Sequence, residues 1–283
     1  MRKRVVLMLA LALLWCVAAS AQQQMQPLTV ISDFTIRPGK EADYMELVRT
    51  VGAPVRDKLM AEGVIFAWGI DVPLMQMPGQ ATHSVWYTVA GWDGVQKVQT
   101  AMAAQIEKMR AESKAPVAKG AKPGKSFDER TAEVFDQSKT RQWVFRELDT
   151  NFTSVPPPAD LLPYSRINLI TIKPGKYFEW KAAFDKYNKP VYDKLIASGV
   201  IAGVGIGAEE ARSAGEFTHF TYVSAANLGA FEKVRAAFIA DRVARSQEER
   251  EAITALFNSL TDPTMARQFM LRAVIFKMAP PPK

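Results

Sequence analysis

The two histidines of the sequence occupy equivalent positions in two similar stretches of the chain. His83 follows Thr82, and His219 follows Thr218, at a separation of 136 residues. A neutral imidazole can act as a general base or bind a metal, because its unperturbed pKa lies near about 6.5. The competing interpretation is a structural Thr-His pair that hydrogen-bonds to a neighbouring loop. We therefore take His83 and His219 as candidate catalytic residues and keep the structural alternative open.

A second group of candidates could bind a ligand, because small-molecule pockets are mainly apolar with a few placed polar groups. Aromatic residues are concentrated in the first of the two stretches, whereas the second has smaller side chains such as Ala202 and Val204 at the matching positions. Any two cavities should therefore differ. The candidate ligand-binding residues are Asp33, Trp68, Trp86, Tyr87, Asn168 and Tyr222.

Other kinds of chemistry find little support in the sequence. A metal site needs several converging ligands, and each stretch has one histidine and no cysteine, so no metal is predicted. Asp57 and Asp193 recur, but each stands beside a lysine on a predicted helix and is expected to face solvent. The sequence has no G-x-S-x-G motif, and its glycine-rich run at 203–207 is typical of a strand that a ligand or backbone can approach closely.

The candidates lie within an internal repeat, which is the main feature of the chain. The segment at 35–40, TIRPGK, recurs as TIKPGK at 171–176, and PVRDKL at 54–59 recurs as PVYDKL at 190–195. About a third of the positions between 31 and 98 are identical at the constant separation of 136 residues. The later match of RQWVFR at 141–146 to RQFMLR at 267–272 has a shorter offset, so the first copy carries an insertion, which we place in the flexible stretch at 114–125.

Each copy has the same predicted order of elements. A β-branched strand ends at Pro-Gly, and an amphipathic helix with apolar residues three and four apart follows it. Pro54 and Pro190 fall inside that helix, so a kink or a break is expected there. Two strands, a second helical region and a last strand complete the copy. In the first copy these are expected at 64–70, 83–89, 92–110 and 142–148.

This β-α-β-β-α-β order, repeated twice, predicts an α+β fold of two tandem ferredoxin-like units. Together with the Pro-Gly strand exit and the tandem layout, it resembles the dimeric α+β barrel superfamily, which includes antibiotic-biosynthesis monooxygenase-like and NIPSNAP-like domains. The resemblance implies an intramolecular barrel of two four-stranded sheets that face each other. It also implies that ligands enter the barrel interior or the space between a sheet and its helices.

The ends and the composition suggest an exported protein. Three basic residues, the apolar run at 5–17 and Ala19-Ser20-Ala21 are typical of a cleaved signal peptide at 1–21, and the lone Cys16 lies inside it. Cleavage lowers the formal net charge from +7 to +4, too mild to suggest nucleic acid. A proline-rich connector at 154–159 separates the predicted units at 28–150 and 164–278.

The leading functional hypothesis is a periplasmic or secreted protein that binds a small apolar or aromatic molecule in a barrel pocket, with His83 or His219 orienting it. No cofactor and no membrane contact after cleavage are predicted, and assembly into a homo-oligomer stays open. One alternative is an enzyme, a cofactor-independent monooxygenase or a haem-handling protein by family resemblance, using His83 with Trp68 or Trp86. Another is a stress-related structural protein.

Overall fold

The computed structural model describes residues 26–76, 79–114, 124–153, 163–211 and 217–279. The predicted signal peptide at 1–21 and the proline-rich connector at 154–159 lie outside the described residues, as does most of the predicted insertion at 114–125.

The described residues of the first half form four strands and four α-helices. In order they are β1 (Leu28–Phe34), α1 (Glu41–Leu47), α2 (Ala53–Ala61), β2 (Ile65–Pro73), β3 (His83–Val89), α3 (Trp92–Ser113), α4 (Phe127–Val134) and β4 (Arg141–Phe152). A π-helical turn (Val48–Gly52) joins α1 to α2, and a short 3₁₀ turn (Gln137–Lys139) precedes β4.

The second half repeats this order. Its elements are β5 (Tyr164–Ile172), α5 (Tyr177–Tyr187), α6 (Lys189–Ala197), β6 (Gly203–Ala211), β7 (His219–Ala225), α7 (Gly229–Val243), α8 (Gln247–Leu260) and β8 (Thr261–Met278). The ferredoxin-like order predicted for both halves is confirmed. The glycine-rich run at 203–207 is a strand, as expected.

Local chemistry accounts for these boundaries. Gly39 and Gly175, both at φ +76°, form the turn after the first strand of each half, a conformation that favours glycine. Pro54 and Pro190 fall in the first turn of α2 and α6, so the long predicted helix is broken into two at each position. Helix α4 was missed in the sequence, although Ser126 and Glu129 form a capping box at its start.

The eight strands form one closed antiparallel barrel in the order β1-β3-β2-β8-β5-β7-β6-β4. Each half contributes one four-stranded sheet, and the two sheets are hydrogen-bonded along both edges, β2 to β8 and β4 to β6. The sheets therefore face each other across the barrel, as the resemblance implies, but they are also joined edge to edge. Closure leaves no free strand edge between the halves.

Three apolar clusters fill the molecule. One lies between the first sheet and its helices, and a second lies between the second sheet and its helices. The third lies inside the barrel and combines residues from both halves, with Phe145, Phe217 and Phe220 at its centre. Each strand thus has one face towards helices and one towards the barrel interior.

No helix in the described ranges is long and apolar enough to cross a membrane.

Candidate functional site in the barrel interior

The alternation along β3 decides which side chains reach the barrel interior. His83, Val85, Tyr87 and Val89 are buried beneath helices, whereas Ser84 and Trp86 point the other way. The sequence predicted this division, because side chains alternate across a strand.

One end of the barrel interior contains a cavity of about 350 Å³, which we call the barrel cavity. Aromatic and aliphatic side chains of both halves form most of its wall, among them Trp86, Trp143 and Phe220. Its polar wall groups include the carboxyls of Asp33 and Asp71 and the hydroxyl of Ser84, with Lys139 and Arg141 more exposed. A mainly apolar cavity with a few polar groups is typical of a small-molecule site.

Asp71 is the most perturbed acid of the barrel cavity. Its side chain is half-buried in the wall of the cavity, and Trp86 Nε1 donates a hydrogen bond to its Oδ2 over 2.9 Å. Burial raises the pKa of this carboxyl to about 7, although the Trp86 hydrogen bond acts in the opposite direction. A carboxyl with this pKa can both accept and release a proton near neutral pH.

Asp33 is the second carboxyl of the barrel cavity and is held by two donors. Ser84 Oγ donates to Asp33 Oδ1 over 2.6 Å, and Trp143 Nε1 donates to Oδ2 over 3.0 Å. Each acid of the cavity therefore accepts a hydrogen bond from a tryptophan. These bonds fix the carboxyls and both indole rings against the wall of the cavity.

A third acid, Glu147, lies on the lumen-facing side of β4, outside the wall of the barrel cavity. Thr29 Oγ1 donates to its Oε1 over 2.9 Å, while its Oε2 is buried without a hydrogen-bond partner. Burial raises the pKa of Glu147 to about 7, and this acid in turn helps to raise the pKa of Tyr222. Tyr222 is half-buried and its ring lies across Gly205.

The two candidate catalytic histidines do not line the barrel cavity. The His83 ring lies 4.8 Å from the Tyr44 ring, and its Nδ1 is hydrogen-bonded to Thr82 Oγ1 over 3.0 Å. His219 stacks on Tyr177 at 5.2 Å and is hydrogen-bonded to Thr218 Oγ1 over 2.8 Å. Burial lowers the pKa of His83. A catalytic role for either histidine stays a prediction. Such a site would lie between a sheet and its helices and not in the barrel cavity.

The six candidate ligand-binding residues are split between the two sides of the sheets. Asp33 and Trp86 line the barrel cavity, whereas Tyr222 packs against the apolar cluster of the interior, with its ring 5.8 Å from that of Phe220. Trp68 and Tyr87 are buried beneath the helices of the first half. Asn168 hydrogen-bonds Thr221 and Gln268, and its neighbours Ile167 and Leu169 line the barrel cavity instead.

Asp57 and Asp193 are partly exposed to solvent, as expected, but both also accept hydrogen bonds from other elements. Asp57 accepts hydrogen bonds from Trp68 Nε1 at 3.0 Å and from Lys277 Nζ at 2.7 Å. Asp193 accepts hydrogen bonds from Asn151 Nδ2 at 2.7 Å and from Lys189 Nζ at 3.0 Å. Each aspartate therefore ties its helix to a strand, which a single lysine neighbour in the sequence does not indicate.

Two other depressions differ from the barrel cavity in chemistry. A groove of about 1120 Å³ runs between α2 and α3 and is lined partly by exposed charged residues such as Lys58 and Glu62. A cleft of about 580 Å³ lies between the second sheet and α7 and α8, with several arginines at its wall. Neither is lined by carboxyls that accept hydrogen bonds from tryptophans, as Asp33 and Asp71 do in the barrel cavity.

No protein-family model and no curated protein sequence matches this chain. Solved structures do match. A putative monooxygenase from Fusobacterium nucleatum subsp. nucleatum ATCC 25586 gives a TM-score of 0.57 at 9% identity, covering 89% of this chain and 94% of that one. A putative monooxygenase from Lactobacillus acidophilus NCFM gives 0.54 at 11% identity, covering 90% and 97%. An anthrone oxidase-like protein gives 0.52 at 11% identity, covering 91% and 94%.

The chain has the dimeric α+β barrel fold. The match extends over nearly the whole length of each of these chains, so the tandem arrangement of both halves in one chain is shared with them. At 9 to 11% identity the likeness concerns the fold of the α+β barrel and no residue of its interior.

Three residues of the α+β barrel interior were missed in the sequence: Asp71, Trp143 and Glu147. A signal for Asp71 was present, because Gly69, Asp71 and Pro73 alternate on one face of β2. For Trp143 and Glu147 the contact partners come from β1, which is more than 100 residues away. Only the closed barrel brings those residues together.

Proposed function

We propose that this protein is a cofactor-independent oxygenase that takes a small electron-rich aromatic molecule into the barrel cavity, with Asp71 as the proton acceptor. The observation that carries the proposal is a tryptophan-bound, half-buried carboxyl in the wall of an aromatic cavity, with its pKa raised to about 7 by loss of solvation. The similarity in fold to putative monooxygenases supports an enzyme more than a simple binding protein.

The shape and composition of the barrel cavity favour a flat apolar substrate. Its volume of about 350 Å³ is at the small end of the usual range for ligand sites. The rings of Trp86, Trp143 and Phe220 offer faces and edges for stacking. Ser84 and the two aspartates supply the polar contacts that would orient a phenolic or keto group.

Asp71 is suited to remove a proton from an activated C–H bond between aromatic rings. The carbanion then passes electrons to dioxygen and forms a C–O bond. Return of the proton from Asp71 gives a hydroperoxide, which loses water as its O–O bond breaks and a carbonyl forms. The balance is one CH₂ group plus O₂ giving one C=O group plus water. Dioxygen is the oxidant, and Asp71 ends in its starting state.

Trp86 and Asp33 act on the position and the proton affinity of the reacting groups. The Trp86 hydrogen bond stabilises the ionised form of Asp71, and it also fixes the direction of the carboxyl. Asp33 holds Trp143 in the opposite part of the wall through its own hydrogen bond. Both hydrogen bonds are made between groups of the protein itself, so they orient the polar groups of the cavity wall.

The test is oxygen uptake by the purified protein with anthrone and related polycyclic phenols, together with product absorbance. We expect activity to rise with pH through about 7 as the Asp71 carboxylate forms. Asp71→Asn should lower kcat/KM by about 100-fold or more. Trp86→Phe should move the pH midpoint upwards, because it removes a hydrogen bond that stabilises the carboxylate.

The matched control is Asp93→Asn, which changes an exposed aspartate on α3 and should leave the rate unaltered. The proposal fails if no probe causes oxygen uptake, or if Asp71→Asn is as active as the unmodified protein. A rise in melting temperature with these compounds but no oxygen uptake would favour the simple binding protein.

A haem-handling function is the alternative, but no histidine that could bind haem iron lines the cavities described above. His83 and His219 are packed among aromatic side chains beneath helices, and neither lines the barrel cavity or the cleft of the second half. No step of the proposed reaction therefore involves haem.

We also propose that the protein works after export, on the basis of the basic, apolar and small-residue segments at 1–21. Mass spectrometry of the protein from a periplasmic or culture fraction should give a chain that begins near Gln22. A chain that keeps its first 21 residues in the cytoplasm would contradict this.

A further inference from the structure

The guanidinium of Arg56 is half-buried between α2 and the first sheet, and no ion pair joins it to a carboxylate of the described residues. It lies over the Trp68 ring, with Cζ 5.6 Å from the ring centroid. Its Nε is buried and has no hydrogen-bond partner, and among the described residues no acid forms an ion pair with it. A buried N–H of a charged group without an acceptor is costly, so this arrangement calls for an acceptor, and an anion is the best one.

The acid nearest in sequence to Arg56 is already engaged. Both oxygens of Asp57 accept hydrogen bonds, Oδ1 from Trp68 and Oδ2 from Lys277. Lys277 Nζ also lies 5.3 Å from the centroid of the Trp68 ring. Two cations therefore share the Trp68 ring with a single carboxylate, which leaves one positive charge uncompensated.

The positive charge of Arg56 also acts on the hydroxyl groups of two tyrosines, Tyr44 and Tyr87. The Tyr44 hydroxyl is buried and has no hydrogen-bond partner. Burial raises the pKa of Tyr44 and raises the pKa of Tyr87 to about 12, while the Arg56 charge acts against both increases. Both hydroxyls therefore stay protonated at neutral pH, and the one on Tyr44 has a hydrogen bond to give.

The backbone beneath Arg56 leaves room for the guanidinium. Gly52 ends the π-helical turn one helical turn before Arg56, and a Cβ atom at position 52 would collide with Arg56 Nη1. The π-helical turn itself is of a type often found at functional sites. The position of Arg56 thus depends on a glycine on a neighbouring turn of the same helical segment.

We propose that Arg56, with the Tyr44 hydroxyl, forms a binding site for one monovalent oxyanion, most simply a carboxylate, between α2 and the first sheet. A carboxylate matches the planar donor edge of a guanidinium and supplies the missing negative charge. This site is separate from the barrel cavity, since Arg56 and Tyr44 lie on the helix side of the sheet. The carboxylate could be a free small anion or the acid group of a larger organic molecule.

Isothermal titration calorimetry on the full chain with acetate, benzoate and inorganic phosphate tests the proposal. We expect saturable one-to-one binding of a carboxylate, and a rise in melting temperature with its concentration. Similar affinity for acetate and benzoate would indicate a free small anion, and much tighter binding of benzoate would indicate the acid group of an organic molecule. Arg56→Met should weaken binding at least tenfold.

Three further variants sharpen the result. Arg49→Met removes an exposed arginine of the π-helical turn and should bind as the unmodified protein does. Gly52→Ala keeps every charge but displaces the guanidinium, so it should weaken binding several-fold and provides a test even if Arg56→Met does not fold. Asp71→Asn should retain binding, which separates this site from the barrel cavity.

Two results would overturn the proposal. One is the absence of saturable binding of all three anions to the unmodified protein. The other is equal affinity in the unmodified protein, in Arg56→Met and in Gly52→Ala, which would place any bound anion elsewhere. Because the oxygen-uptake assay depends on Asp71, it can fail or succeed independently of either result.

Discussion

At the scale of single residues, Asp71 and Glu147 are the acids whose ionisation folding opposes most clearly. Burial raises the pKa of each to about 7, from ordinary values of 3.8 and 4.5. Between these limits the folded chain binds more protons than the unfolded chain. The contribution of both groups to stability is therefore greatest at low pH and is lost as the pH rises towards about 7.

We predict that Asp71→Asn and Glu147→Gln each flatten the pH dependence of the free energy of unfolding between pH 5 and 7. The unmodified protein should lose up to about 1.4 kcal/mol per pH unit for each group relative to its variant. Urea unfolding at several pH values measures this, with Asp93→Asn as the exposed control. Parallel curves for all four proteins would show that neither carboxyl is protonated by folding.

The sequence indicates some residues of the interior and misses others for a physical reason. Alternation along β3 separates Trp86 from His83, and Asp33 was a candidate because of its place on the first strand. Which side of that strand faces a helix depends on the complete fold. The raised pKa of Asp71 depends on burial by both halves, and no local pattern contains that information.

At the scale of the elements, the glycines of β6 make space for aromatic rings that cross the barrel interior. A Cβ atom at position 205 would collide with the Tyr222 ring, and one at position 207 would collide with the Phe220 ring. In the first half Gly69 lies beneath Trp86 in the same way. The glycine-spaced pattern predicted close approach, and here the approaching groups are the protein's own side chains.

We predict that Gly205→Ala destabilises the protein by about 1 to 3 kcal/mol, because an added methyl group forces the Tyr222 ring from its place. Gly39→Ala is the comparison variant. Nothing lies within 4 Å of its added atom, so only the backbone conformation, with φ at +76°, opposes the alanine. Chemical denaturation gives both values. Near-ultraviolet circular dichroism should change for Gly205→Ala and stay unchanged for Gly39→Ala, since only the former moves an aromatic ring.

At the scale of the whole molecule, the two halves share the aromatic cluster of the barrel interior. They are also joined along two pairs of neighbouring strands, which we call seams. Strands β2 and β8 pair over the first seam, and β4 and β6 pair over the second. Phe145 of the first half contacts Phe217 and Phe220 of the second at ring separations of 6.0 and 4.7 Å. The internal repeat predicted two equivalent units, and the hydrogen-bonded closure between them joins both into one barrel.

We predict that cutting the chain between the halves leaves the barrel assembled. A protease site introduced within residues 154–162, which connect β4 to β5, should give two fragments that elute together at the volume of the uncut protein. Both seams and the aromatic cluster remain after such a cut, and their separation would expose two strand edges and the apolar interior on each side. The fragments should separate only in denaturant, and differential scanning calorimetry of the uncut protein should show a single transition whose calorimetric and van't Hoff enthalpies agree.

Fragments that part under native conditions, or two resolved transitions, would mean that each half is stable by itself. The barrel cavity would then be an interface between independent domains, and Asp71 would lose the burial from which its raised pKa arises.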